Sequence, residues 1–154
     1  MPKRLGTWLK DGYSVFIDLN LQYQPRESRL SEAEVVFAKI AVDKWIEMGA
    51  IRVLDINVTH KRAVVGNCVV AYRDGVMDRI CWSGVPVNEG VDDKAFKMES
   101  VKDICAQCML RDWEFSFDLA KGFQQIPLKR SFAEYCLFRL DGVVYQWLVV
   151  PQGL

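Results

Sequence analysis

Apolar positions in the chain follow two rhythms. Val35, Ala38, Val42, Trp45 and Ile46 recur at the 3.6-residue spacing of one helix face. Ser31-Glu-Ala-Glu34 opens this run as a capping box and Gly49 supplies a stop, so the pattern predicts an amphipathic helix between them. The rhythm then shortens. Ile51 to Ile56 reads as a strand, and Ala63 to Tyr72 and Val76 to Trp82 read as two more around Arg73-Asp-Gly75. The Asp-Gly pair favours a tight turn, which makes this a β-hairpin with a basic tip. Tyr135 to Leu140 and Val143 to Val150, joined by Asp141-Gly142, form a second hairpin signal.

Between the hairpins, a polar loop is expected from Val87 to Lys97. Within Glu99 to Leu110, Val101, Ile104, Cys105, Cys108 and Met109 then have helical spacing that would lay one face on a sheet. Trp113, Phe115 and Phe117 next alternate with Glu114 and Ser116, the period of a strand that delivers Asp118 at its end. An acid there is out of place in a purely structural strand. Near the start, Gly12 to Leu21 is strand-like, while Gln22 to Arg29 is polar and broken by Pro25, so residues 1–30 read as an arm. The chain contains no internal repeat, low-complexity tract or flexible linker.

Composition changes this picture little. With 51% hydrophobic and 26% charged positions, the 154 residues are those of a folded globular domain. Lys+Arg and Asp+Glu both number 20, so a nucleic-acid or membrane partner cannot be argued from net charge, and any basic surface must be local. No apolar run approaches the roughly 20 residues of a membrane span. The first residues lack the apolar core of a signal peptide, so an intracellular protein, cytoplasmic or nuclear, with no membrane partner is expected. The five cysteines are odd in number and lie in segments that read as core, which suits reduced thiols. Cys105-Ala-Gln-Cys108 has metal-site spacing, but His60 is the only histidine and there is no second such pair, so small buried hydrophobes are the favoured reading. The five tryptophans are expected mostly to pack, and His60 to lie in a surface loop.

The most informative stretch is Phe117-Asp-Leu-Ala-Lys-Gly-Phe-Gln-Gln-Ile-Pro-Leu128, followed after the second hairpin by Val150-Pro-Gln-Gly-Leu154. Together, in register, these blocks resemble the reverse transcriptases of retroelements, of the LTR and DIRS-like kind. Asp118, Leu119, Gly122, Phe123 and Gln125-Ile-Pro-Leu128 stand where that family has its first catalytic aspartate, a small residue, an aromatic and a similar apolar run. Upstream, Ala71-Tyr-Arg-Asp-Gly75 resembles the family's basic hairpin tip. Arg79 precedes Asn88 by the interval that separates the family's nucleotide-binding arginine from its asparagine. The helix ending Trp45 to Ile51 and the stretch Phe96 to Ile104 agree with the same register, which covers residues 31–154.

The resemblance implies an α+β fold, a right-hand polymerase fragment with antiparallel hairpins packed with helices. Fingers would come from about 31–93 and 126–154, and a partial palm from about 94–125. It implies Asp118 as catalytic residue and ligand of Mg2+ or Mn2+ in a complete RNA-directed DNA polymerase, because phosphoryl transfer builds charge on both attacking and leaving oxygens. Arg73 and Arg79 would meet the nucleotide polyphosphate, Phe123 would pack under the sugar and exclude a 2′-hydroxyl, and Gln152 would sit near the sugar. RNA or DNA primer-template and deoxynucleotides are the implied partners.

The departures are Ser83 and Val85, where the family has an aspartate and an arginine, and Tyr72, where it has a lysine. The second carboxylate block, tyrosine-x-aspartate-aspartate, would follow beyond Leu154. This chain alone is therefore expected not to polymerise, and to expose an apolar patch where further palm strands, or the missing palm and thumb portion, would cover it. The alternative is a truncated or domesticated module that binds nucleic acid or a full-length polymerase without catalysis.

Overall fold

In a computed structural model, residues 6–7, 10–15, 29–55, 65–91, 100–109, 111–113 and 115–154 are described. Helix α1, Glu32–Glu47, begins as its capping box requires: the Ser31 hydroxyl accepts from the Glu34 N–H while the Glu34 carboxylate accepts from the Ser31 N–H at 2.8 Å. It ends where Gly49 takes a positive φ of 68°. Ala38 and Val42 are buried and Trp45 half-buried, a row spaced i, i+4, i+7 along the helix. Ile46, assigned to that face from spacing, is exposed: about 100° round the helix from Trp45, it falls at the margin of the row, beyond Val42.

Five strands form one sheet: β1 Ile51–Leu54, β2 Val65–Arg73, β3 Val76–Ser83, β4 Leu137–Leu140 and β5 Val143–Trp147. Their spatial order is β1-β5-β4-β2-β3. Both hairpins form where expected. Asp74 and Gly75 have φ of 52° and 79°, and Asp141 and Gly142 have 48° and 76°. Two positive-φ residues in succession match the right-handed twist of the flanking strands. The hairpins meet through a parallel β2–β4 pairing, so the sheet is mixed rather than purely antiparallel.

Aromatic packing joins helix to sheet. The Trp45 ring lies 4.8 Å from Trp147 and edge-on to Phe138 at 6.2 Å, and Phe138 stacks on Tyr145 at 5.1 Å. Trp82 and Trp147 are buried, as expected for packing tryptophans. The buried polar side chain of Gln146 is satisfied by the Arg52 Nε, which donates to its Oε1 at 2.7 Å.

Several expectations are corrected. The Val87 end of the expected polar loop is a short helix, α2, Val85–Asn88, started by Pro86 and with Val87 buried. Helix α3, Val101–Cys105, has a capping box at Ser100 and Asp103 but buries no residue, so it lays no face on the sheet. Cys105 and Cys108 are accordingly exposed rather than core, whereas Cys68 and Cys136 are buried; all five thiols are free. Trp113, Phe115 and Phe117 form no strand. Phe115 and Phe117 stack with ring centroids 6.2 Å apart, but the segment pairs with no strand among the described residues. A period-2 pattern needs a partner to become a ladder. Trp113 is 98% exposed, against the packing role expected of it, and Phe115, Phe117 and Leu119 are exposed as well.

The strand expected from Gly12 to Leu21 is described only to Val15, and the arm's Tyr13 bridges to Leu128. His60, Trp8, Ile56, Ala63 and the 92–99 part of the expected loop and helix start lie outside the described residues. Among the described residues no helix is long and apolar enough to cross a membrane.

Candidate nucleotide site

The basic hairpin carries Arg73 and Arg79. Strict alternation along β3 would place Asp78 on the same face as Ile80 and Trp82, which are buried. An unpaired carboxylate there is costly, and the strand avoids it. Cross-strand partners run Ala71↔Arg79 and then Tyr72↔Met77, leaving Asp78 as the extra residue of a β-bulge. The bulge sets Asp78 beside both arginines. Arg73 Nη2 lies 3.6 Å and Arg79 Nε 3.7 Å from the same oxygen, Asp78 Oδ2. Asp78 is the inner member, with 29% of its side chain exposed against 69% and 59% for Arg73 and Arg79. Tyr72 ties the hairpin back to α1, its hydroxyl donating to Glu34 Oε1 at 3.1 Å. Hydrogen bonds from the Ser31 backbone, the Ser31 side chain and Tyr72 hold the Glu34 carboxyl below its usual value, while burial and the Glu34 charge raise the Tyr72 phenol.

Asp118 lies on an exposed segment without regular secondary structure that leads into a 3-10 turn, Gly122–Gln125. Lys121 enters the turn with a left-handed backbone, φ 54°, and its ammonium sits 2.7 Å from the Met48 sulfur at the end of α1. Gln125 Nε2 donates to Ala120 O at 2.9 Å and closes the loop on itself. Phe123 projects from this turn and is 57% exposed.

The two blocks of the resemblance are hydrogen-bonded to each other. Leu128 N–H donates to Leu148 O at 2.8 Å and Val150 N–H to Ile126 O at 2.9 Å, which seats Gln125-Ile-Pro-Leu128 beside Leu148 to Pro151. Tyr13 adds on the outer side, its N–H donating to Pro127 O at 2.7 Å. The turn Pro151-Gln-Gly153 is then fixed from another direction: Asn88 Nδ2, at the end of α2, donates to Gly153 O at 2.7 Å. Gly84 permits this contact, because a Cβ there would lie 2.7 Å from Gly153 O. Gln152 is left exposed at the tip.

Arg73 and Arg79 thus meet at Asp78. The loop bearing Asp118 and Phe123 and the turn bearing Gln152 join through the Ile126–Leu128 backbone. Asp78, the tether from Tyr72 to Glu34 and the link from Asn88 to Gly153 carry no motif of their own in the sequence. The Asp78 signal was present: an acid two residues before buried Ile80 breaks the alternation. Among the described residues, no group of three His, Cys, Asp or Glu side chains gathers as a metal site. Two exposed guanidiniums around one position can take a polyphosphate, an exposed aromatic can stack against a sugar or base, and Asp118 offers a single carboxylate.

This architecture is similar to prototype foamy virus protease-reverse transcriptase. Against the native crystal structure the TM-score is 0.68 at 16% identity, covering 90% of this chain and 18% of that chain. A foamy viral protease-reverse transcriptase in complex with double-stranded DNA gives a TM-score of 0.67 at 16% identity, covering 92% of this chain and 29% of that one. No family profile and no curated protein matches the sequence. The chain therefore has the α+β fold of a reverse-transcriptase fragment, and it spans less than a third of the length of those chains.

Proposed function

We propose that the chain is the fingers and first part of the palm of a retroelement RNA-directed DNA polymerase. The fold likeness, which spans 90% of the chain, carries this reading. The hydrogen-bonded placement of its two motif blocks supports it. Arg73 and Arg79 bind the polyphosphate of an incoming deoxynucleotide. Phe123 packs under the sugar and rejects a 2′-hydroxyl by shape, and Gln152 closes over the sugar from the neighbouring turn. Primer-template, RNA or DNA, is the macromolecular partner.

Asp118 is the residue that would hold Mg2+ or Mn2+. A single carboxylate is compatible with Mg2+, which commonly binds one or two carboxylates together with substrate phosphates, but it does not by itself build a two-ion centre. The ion would supply charge stabilisation for phosphoryl transfer. The chain's own contribution is to bind, orient and select the nucleotide.

The test is primer extension by the polypeptide encoded by the complete reading frame around residues 1–154. Phe123→Val should raise ribonucleotide relative to deoxynucleotide incorporation by about ten- to a hundredfold, the discrimination available to one steric contact. An unchanged ratio would remove Phe123 from the sugar site.

A further inference from the structure

We infer that Asp78 is a built-in competitor of the nucleotide polyphosphate, occupying the position between Arg73 and Arg79 that an anionic ligand takes from it. The inference rests on the assignment of these arginines to the polyphosphate and adds a residue that this assignment does not contain. Both guanidiniums converge on one oxygen, Asp78 Oδ2, at 3.6 and 3.7 Å. That oxygen marks a place that a single phosphate oxygen can fill with the same two partners. The separations exceed close hydrogen-bond distance, so the arginines are held electrostatically and stay free to reorient.

The bulge explains why a carboxylate is there. Asp78 is the one residue of β3 without a partner in β2, and its neighbours in register, Ala71 opposite Arg79 and Tyr72 opposite Met77, close the ladder around it. Removing the charge would leave the pairing intact. Asp78 is less exposed than either arginine, so the two guanidiniums present more of the cluster's surface to a ligand arriving from solvent. Two effects then follow for a bound polyphosphate: each arginine gives up one exposed ion pair, and the ligand sits near a like charge. Exposed pairs are individually weak, so the arrangement tempers affinity without blocking the site.

The experiment is calorimetric titration of this chain at low ionic strength with inorganic tripolyphosphate, with orthophosphate and a short single-stranded oligonucleotide in parallel. Wild type, Asp78→Asn, Asp78→Glu, and the paired Arg73→Gln and Arg79→Gln variants are compared. Asp78→Asn should bind tripolyphosphate about three- to tenfold more tightly than wild type, and Asp78→Glu should restore the wild-type value. Orthophosphate should bind more weakly than tripolyphosphate to every variant. Removing both arginines should abolish the difference between Asp78 and its replacement.

Equal or weaker binding by Asp78→Asn, while the arginine variants lose affinity, would overturn the competitor role and leave the arginines as the polyphosphate site. No effect of the arginine variants, or no binding by any form, would overturn both. A gain confined to the oligonucleotide would assign the pair to a nucleic-acid backbone and also overturn the proposal.

Discussion

Replacing Gly84 with alanine adds one methyl group at the point where α2, Trp82 and the Pro151-Gln-Gly153 turn converge. The new Cβ would lie 2.6 Å from Trp82 Cζ3 and 2.7 Å from Gly153 O. Neither neighbour can easily yield. Trp82 is buried with its indole N–H donating to Leu137 O at 3.2 Å, and Gly153 O already accepts from Asn88 Nδ2 at 2.7 Å. Backbone conformation does not require glycine, because Gly84 at φ −81° and ψ 1° sits in the bridge region, sparsely populated but open to alanine. In such a position alanine ordinarily stabilises by about 0.4–1 kcal/mol by restricting the unfolded chain. Overpacking costs about 1–3 kcal/mol, so the net expectation is a loss of about 1–2 kcal/mol. Urea denaturation reads this directly. At a slope of about 2 kcal/mol/M the midpoint should fall by about 0.5–1 M with the slope unchanged. An equal or higher midpoint would refute the reasoning, since the two contributions have opposite signs. It would mean that the turn bearing Gln152 is not packed on Gly84.

Three further outcomes follow from the packing and hydrogen bonding of the chain. Trp147→Ala removes a buried ring that touches Trp45 and Phe138, and should lower stability by about 3–5 kcal/mol in the same urea assay; a shift under 1 kcal/mol would contradict that packing. Alkylation at neutral pH followed by peptide mapping should label Cys105 and Cys108 in the folded chain. Cys68 and Cys136, whose thiols burial pushes up to about 12, should react only on unfolding. The Glu34 carboxyl is held below 4.5 by Ser31 and Tyr72, so its contribution is present above that pH and is lost as pH falls through the lowered folded value. The stability difference between wild type and Glu34→Gln should therefore shrink on acidification, and a difference that grows below pH 4.5 would contradict this sign.

What could be read in advance was local. Ser31 and Glu34 cap a helix through atoms three residues apart, and Asp-Gly pairs set two turns from their own backbone preferences. Such signals survive in isolation. The strand expected at Trp113 to Phe117 depended on something that spacing does not carry, a second backbone to pair with. Ile46 was misplaced because a stripe of five apolar positions is wider than the contact that Ala38, Val42 and Trp45 make. The parallel β2–β4 junction joins segments about seventy residues apart in sequence and left no local mark. Within the candidate site, the residues carried by motif were visible, whereas of those that position them only Asp78 left a local trace, in the broken alternation before Ile80. Asp78 acts through a bulge, Asn88 through a carbonyl of a distant turn, and Tyr72 through a carboxylate on α1. Each is a tertiary relation between ordinary surface residue types.

The most direct test of the central claim is primer extension on an RNA template by the polypeptide encoded by the complete reading frame, comparing wild type with Asp118→Asn alongside duplex binding by each. Wild type should extend the primer with deoxynucleotides in Mg2+ or Mn2+, and Asp118→Asn should abolish extension while duplex binding stays nearly intact. Extension by Asp118→Asn at the wild-type rate would contradict the metal-binding role of Asp118. A wild-type protein that neither extends nor binds primer-template would contradict the polymerase reading itself.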